Sequence, residues 1–141
     1  MSVASPRGHT ARPHTADVVI EAWAPTAAAC YEELVAAFVG IFVATDGAEP
    51  AGTVAVDVGP GSPEDLLVLL LEEVIAAVEL DGVVPVTAHL DVVGDRLTGS
   101  FALARPRPDA LIGPVPKGIA YSGLEVVATD EGWRARATVD V

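Results

Sequence analysis

Between Gly61 and Gly82 the sequence specifies both ends of one helix, and the character of that helix limits what the rest of the chain can build. Ser62 is suited to cap it, Pro63 sits at the first helical position, and Glu64 and Asp65 place carboxylates where the helix dipole favours them. The pattern predicts a helix from Pro63 to about Leu80 that leaves at Asp81-Gly82. Its apolar residues are so dense that most of its circumference must be covered, with Glu72, Glu73 and Glu79 marking the wet side. A helix of this kind cannot stand on a surface alone. The remaining sequence must supply layers to cover it.

Most of that cover reads as β-structure. Asp17 to Ala24 is a strand rich in Val, Ile and Trp, ended by Pro25, and Thr26 can cap the helix that follows. In that helix Cys30, Tyr31, Leu34, Ala37, Phe38, Ile41 and Phe42 recur at helical spacing. Gly47 and Pro50 punctuate the next loop, and Thr53 to Val58 reads as a short strand. Past the second helix, Val83 to Val93 turns at Gly94-Asp95 into Arg96 to Ala104. Gly123 to Ala128 and Trp133 to Val141 form a hairpin over Asp130-Glu131-Gly132, while Val115 to Tyr121 fits strand or turn equally well. In the last strand Trp133, Ala135, Ala137, Val139 and Val141 share one face, and Arg134, Arg136, Thr138 and Asp140 the other. The expectation is an α+β fold: a compact two-layer sandwich of antiparallel or mixed β-sheet with two main helices. Residues 1–12 read as a loose polar leader and 13–141 as one domain.

Charge and cysteine content narrow the function. Twenty acidic against eight basic residues give a formal charge of −12, which repels phosphate backbones, so direct nucleic-acid binding is not expected. An anionic membrane surface is disfavoured for the same reason, whereas divalent cations and basic protein partners suit it. The single cysteine, Cys30, excludes an intramolecular disulfide and a Cys-rich zinc cluster, and its place on an apolar stripe fits a small buried thiol. The opening residues lack the apolar run of a signal peptide, and no stretch is long enough to span a bilayer; the cytoplasm is the expected compartment.

No nucleophile or phosphate-loop motif is present, and Pro60 removes a backbone donor from the one Gly-rich turn that opens a helix. His89 falls on the polar side of its strand and His9 in the leader. In Pro13-His14-Thr15-Ala16-Asp17 a carboxylate enters the first strand; read locally, Asp17 caps a turn. Asp140 lies beside the terminal Val141, and two carboxylates that close repel unless a cation or Arg lies between them. Were Asp17 to meet them in space, three hard oxygen groups would converge, the donor set that Ca²⁺ or Mg²⁺ prefers. Lys117 is the only lysine in a chain that otherwise uses Arg.

Taken in order, these motifs resemble the archease family. His14-Thr15-Ala16-Asp17 matches the family's opening His-Thr-Ala-Asp. Leu66-Leu67-Val68, Leu71 and Glu73 match its apolar second helix. Lys117, then Tyr121 and Gly123-Leu124-Glu125-Val126, match its Lys and its Tyr-His-x-Leu-Glu-Val element, and Trp133 with Val139-Asp140-Val141 matches its closing strand. The likeness runs from His14 to Val141. Two departures stand out: Ser122 where the family usually has His after the Tyr, and Leu69-Leu70-Leu71-Glu72-Glu73 where it often has Asp-Trp/Phe-Leu-Asn-Glu.

The resemblance implies a non-catalytic accessory protein for an RtcB-type RNA ligase, an enzyme that guanylylates its own histidine with GTP before joining RNA ends in tRNA splicing or RNA repair. The accessory protein promotes that guanylylation and repeated turnover. It implies a divalent metal site at Asp17, Asp140 and Val141, with calcium the first expectation and magnesium or manganese the alternatives. It also implies functional contacts at Lys117 and His14. Two other readings differ in class: a chaperone-like protein-binding module, suggested by the apolar helices and acidic surface, and a small metal-dependent hydrolase with His14 as its acid or base.

Overall fold

The computed structural model describes residues 6–14 and 17–141, with His14 described through its backbone only. Along the chain run β1 (Gly8–His14), β2 (Asp17–Ala24), α1 (Ala27–Gly40), β3 (Glu49–Val58), α2 (Pro63–Asp81), β4 (Val84–Val93), β5 (Arg96–Arg105), β6 (Gly118–Thr129) and β7 (Gly132–Asp140).

Helix α2 begins and ends as its sequence requires. Ser62 Oγ accepts from the Asp65 N–H, the Asp65 carboxylate accepts from the Ser62 N–H, and Gly82 closes the other end at φ 64°. Ser62→Ala is expected to cost about 1 kcal/mol, read as a lower urea midpoint with an unchanged slope. Thr26 caps α1 through its Oγ1, which accepts from the Ala29 N–H at 3.1 Å. The helices are joined where the Tyr31 hydroxyl donates to the Pro63 carbonyl at 2.8 Å.

Seven strands among the described residues form two antiparallel sheets, ordered β1-β2-β7-β6 and β3-β5-β4. Helix α1 packs on β1, β2 and β7 of the first sheet and on β4 of the second, and α2 packs on β6, β3 and β4. Each helix therefore touches both sheets, and one apolar cluster results. Leu34 and Phe38 of α1, Leu67, Leu70 and Leu71 of α2, Leu97 of β5 and Ala135, Ala137 and Val139 of β7 are all fully buried in it. Burying each of the Leu side chains contributes roughly 1.5–3 kcal/mol. Glu72, Glu73 and Glu79 are exposed. The fold is an α+β sandwich, antiparallel throughout its described strands.

Two segments depart from the sequence expectation. Residues 8–12, read as part of a loose leader, belong to β1, an edge strand paired with β2 from Gly8↔Trp23 to His14↔Asp17. Its sequence hides this because an edge strand exposed from His9 to Pro13 needs no apolar alternation, and an edge admits Pro13. The strand is held by its ladder and by charged side chains: Arg7 to Glu32 and Glu33 of α1, His9 to Glu33, and Arg12 to Glu21. Likewise β3 starts at Glu49, before the expected Thr53; it takes in Pro50 because it too is an edge, with a register shift between Pro50 and Thr53 where Gly52 adopts φ 98°.

Cys30 is the buried thiol expected of it. Its Sγ donates to the Ala22 carbonyl at 3.5 Å, and burial first, then Glu33 nearby, pushes the thiol up to about 11. Among the described residues no helix is long and apolar enough to cross a membrane.

Candidate functional site

Because β7 alternates strictly, turning Ala135, Ala137 and Val139 into the core sends Arg134, Arg136, Thr138 and Asp140 to the outer face of the four-stranded sheet. Strand β7 lies between β2 and β6, so every outward residue on it has a register partner on each side. At the end of the sheet, Asp140 pairs with Asp17 of β2 and with Gly118 of β6, and Asp17 pairs in turn with His14 of β1. His14, Asp17, Asp140 and Gly118 thus form one rung across all four strands.

This rung gathers the residues that the sequence singles out. Residues directly opposite on an antiparallel pair share a face with Cβ atoms about 4.5–5.5 Å apart, and like charges so placed destabilise the pair. Asp140 is exposed, while Asp17 is half-buried with its Oδ1 shielded from solvent. The Lys117 N–H donates to the Asp140 carbonyl at 2.8 Å, which anchors the exposed Lys117 beside the rung. Val141 follows Asp140 and packs half-buried against the core. Asp17, Asp140, Val141 and Lys117 are therefore neighbours. The His14 backbone reaches the same rung; its side chain, with Thr15 and Ala16, lies outside the described residues.

The donor chemistry of the rung fits a hard divalent ion: two carboxylates on facing strands, one partly withdrawn from water, with the main chain of Val141 adjoining. Among the described residues no three His, Cys, Asp or Glu side chains converge to hold a metal. Two carboxylates alone leave much of a six- to eight-oxygen sphere to other oxygens. Higher on the same face two further carboxylates have cationic partners. Glu21 pairs with Arg12, and Glu125 accepts from Arg134 at 2.7 Å.

Ser122, which stands where the resemblance leads one to expect His, is exposed in a bulge of β6. The register shifts between Ala120 and Glu125, Gly123 adopts φ 74°, and Tyr121 is left 67% exposed.

One cluster goes unnoticed in the sequence. Glu32 accepts from the Leu90 N–H of β4 at 2.8 Å, and Glu33 takes both Arg7 and the His9 ring nitrogen, at 2.9 Å. The adjacent Glu pair on an otherwise apolar stretch of α1 is the only sequence sign of it. Burial alone would raise the Glu33 carboxyl, but hydrogen bonds from His9 and Arg7 overcome that and hold it below its ordinary value. A depressed carboxyl stabilises the fold above the ordinary range and ceases to do so as pH falls through its folded value. Stability is therefore expected to drop on acidification below about pH 4 to 5, and Glu33→Gln is expected to flatten that drop when urea midpoints are compared across pH.

The profile of the archease protein family (MTH1598/TM1083) matches residues 9–141. Two curated sequences from Mycobacterium tuberculosis, strains CDC 1551 and H37Rv, each named "Probable protein archease", are 35% identical over 134 residues, covering 95% of this chain and 75% of their own. Among solved structures, protein 1598 of Methanobacterium thermoautotrophicum aligns with a TM-score of 0.77 at 18% identity, covering 95% of this chain and 99% of that one. A Thermotoga maritima protein, described as an archease and possible chaperone, aligns with a TM-score of 0.59 at 18% identity, covering 92% and 96%. At that identity the two structures speak for the fold alone, and the fold is this one.

Proposed function

The chain belongs to the archease family, and from that premise we propose that it is a non-catalytic partner of an RtcB-type RNA ligase, promoting the ligase's guanylylation and repeated turnover. The observation that carries this reading is the register pair Asp17↔Asp140, with Lys117 tied to the Asp140 carbonyl. It joins the first and last motifs of the family resemblance, 123 residues apart (140 − 17), at one end of one sheet.

A divalent ion, calcium in the first instance with magnesium or manganese as alternatives, would be held by oxygens of Asp17, Asp140 and Val141 and would supply fixed positive charge for phosphate oxygens at the docked active site. The chain's own residues do the rest. Asp17 is held by β2, which is bonded on both sides, so its carboxylate is presented from a rigid strand. Lys117, tied through its main chain to Asp140, offers a compact ammonium to offset phosphate charge during nucleotidyl transfer. His14 enters the same rung and is assigned a contact role. The net charge of −12 keeps RNA off this protein and leaves the ligase to hold it. Such a partnership places the chain in the cytoplasm, alongside the ligase.

The test is multiple-turnover RNA ligation by the source organism's RtcB-type ligase with limiting GTP and Mn²⁺. Added protein is expected to raise the number of ligations per enzyme. A well-folded protein that leaves the count unchanged removes the proposal. Lys117→Ala is expected to lose roughly tenfold of the stimulation while melting as wild type does, because an exposed ammonium contributes to phosphate contacts and little to the fold.

A further inference from the structure

We propose that the groove between Trp23 and Trp133 receives an arginine or lysine side chain from a protein partner. This site lies at the far end of the sheet from Asp17 and Asp140, and the inference stands whether or not that partner is the RNA ligase.

The chain has only two tryptophans, and both line one open groove of about 450 Å³. The ladder explains how. Trp133 opens β7 opposite Ala24, and Trp23 lies opposite Arg134, so the indoles project from opposite faces at the same end of the β2–β7 pair. Both are half-buried. Glycines permit the arrangement on either side. A methyl group on Gly8 would fall 2.6 Å from the Trp23 ring, so only glycine lets β1 run so close to that indole. At Gly132, φ is 136° and a Cβ would lie 2.4 Å from the Ala24 carbonyl oxygen. That close approach holds the β6–β7 turn, with Asp130 and Glu131, against the end of β2.

Asp130 and Glu131 line the groove with the indoles, and both are exposed. Among the described residues neither takes part in an ion pair. Among the described residues the one cation of the lining is Arg134, which is neutralised by Glu125 at 2.7 Å. Two aromatic side chains with two uncompensated carboxylates fit a cation, because a guanidinium or ammonium can lie over an indole face while a carboxylate takes its N–H groups. They reject an anion. The carboxylates of its lining are exposed, which suits a side chain offered by another protein's surface. Tryptophan is among the residues most enriched at the centres of protein interfaces, and a chain of charge −12 draws basic surfaces toward it.

Tri-arginine amide titrated into the full chain, followed by tryptophan emission, tests this. A saturable change is expected, with none from tri-alanine or tri-glutamate amide. Asp130→Asn together with Glu131→Gln is expected to weaken the apparent affinity about tenfold. Trp23→Ala is expected to remove most of the emission change with the circular dichroism unaltered; should it misfold, the double variant on the exposed turn decides. The proposal is overturned by no saturable change, by an equal response to tri-alanine, by an unweakened double variant, or by a response that follows the protein's own concentration and so reports a second copy in the groove.

Discussion

Asp140→Ala protein is expected to fold as well as wild type and to leave ligase turnover at the level seen with no protein added. The two halves of this result rest on different features. Asp140 is exposed at the end of β7, and its main-chain bonds, including the one from the Lys117 N–H, do not involve its side chain. Removing it also removes a like charge placed directly opposite Asp17, an arrangement that costs a sheet roughly 0.2–1 kcal/mol. In the absence of divalent ions the variant should therefore melt no lower than wild type. Function goes the other way: if two carboxylates hold an ion, losing one leaves too few fixed oxygens to keep it. Added Ca²⁺ at about 100 times its dissociation constant should stabilise wild type by about 2.7 kcal/mol and the variant hardly at all. Asp17→Ala is expected to lose stimulation in the same way, with a small structural cost because that residue is half-buried. Thermal melts with and without Ca²⁺, beside ligation counts, separate loss of site from loss of fold. A variant that melts normally yet stimulates fully would remove the rung from the mechanism.

The largest effect on stability is expected from Gly99→Ala. Gly99 lies in the middle of β5, the central strand of the three-stranded sheet, opposite Val56 on one side and Leu90 on the other. Its φ of 145° is one that residues with a side chain rarely adopt. A Cβ there would lie 1.9 Å from the His89 carbonyl oxygen and 2.9 Å from the Leu90 Cα. The obstruction is backbone, so no rotamer change relieves it, and β4 would have to separate from β5 beside the buried Leu90. The loss should reach about 4 kcal/mol or more, enough to leave a marginal domain largely unfolded. Urea denaturation at neutral pH reads it. A loss under about 1 kcal/mol would mean that the strands part there without cost to the core.

Much of the fold was legible where the chain carries its own local physics. Ser62-Pro63 and Gly82 delimit α2, the composition of Asp17–Ala24 matches β2 residue for residue, and the alternation from Trp133 assigns both faces of β7. What was not legible depends on neighbours. Strand β1 has a polar sequence with Pro13 in it, and becomes a strand because β2 offers an edge and α1 offers Glu32 and Glu33. Gly99 reads like any glycine until β4 is laid beside it.

The candidate site divides in the same way. Hard oxygen donors at Asp17 and Asp140 were visible as residue types, and their order along the chain pointed to the family. Their meeting depends on β2 and β7 pairing with Asp17 opposite Asp140, a register that a shift of one residue would undo and that no local pattern encodes. Lys117 lies in a segment that fitted strand or turn equally; its main-chain bond to Asp140 brings it to the rung. The two tryptophans show neither as a pair nor as a groove until the ladder aligns them.

The claim that this protein acts on the ligase's own activation is tested most directly by the guanylylation step itself. Ligase, radiolabelled GTP and Mn²⁺ are mixed, and covalently bound GMP is followed over time with no addition, with wild-type protein and with Asp140→Ala. Faster labelling with wild type, and labelling with Asp140→Ala no faster than with the ligase alone, is the predicted result. Equal rates in all three, or equal acceleration by wild type and variant, would contradict it.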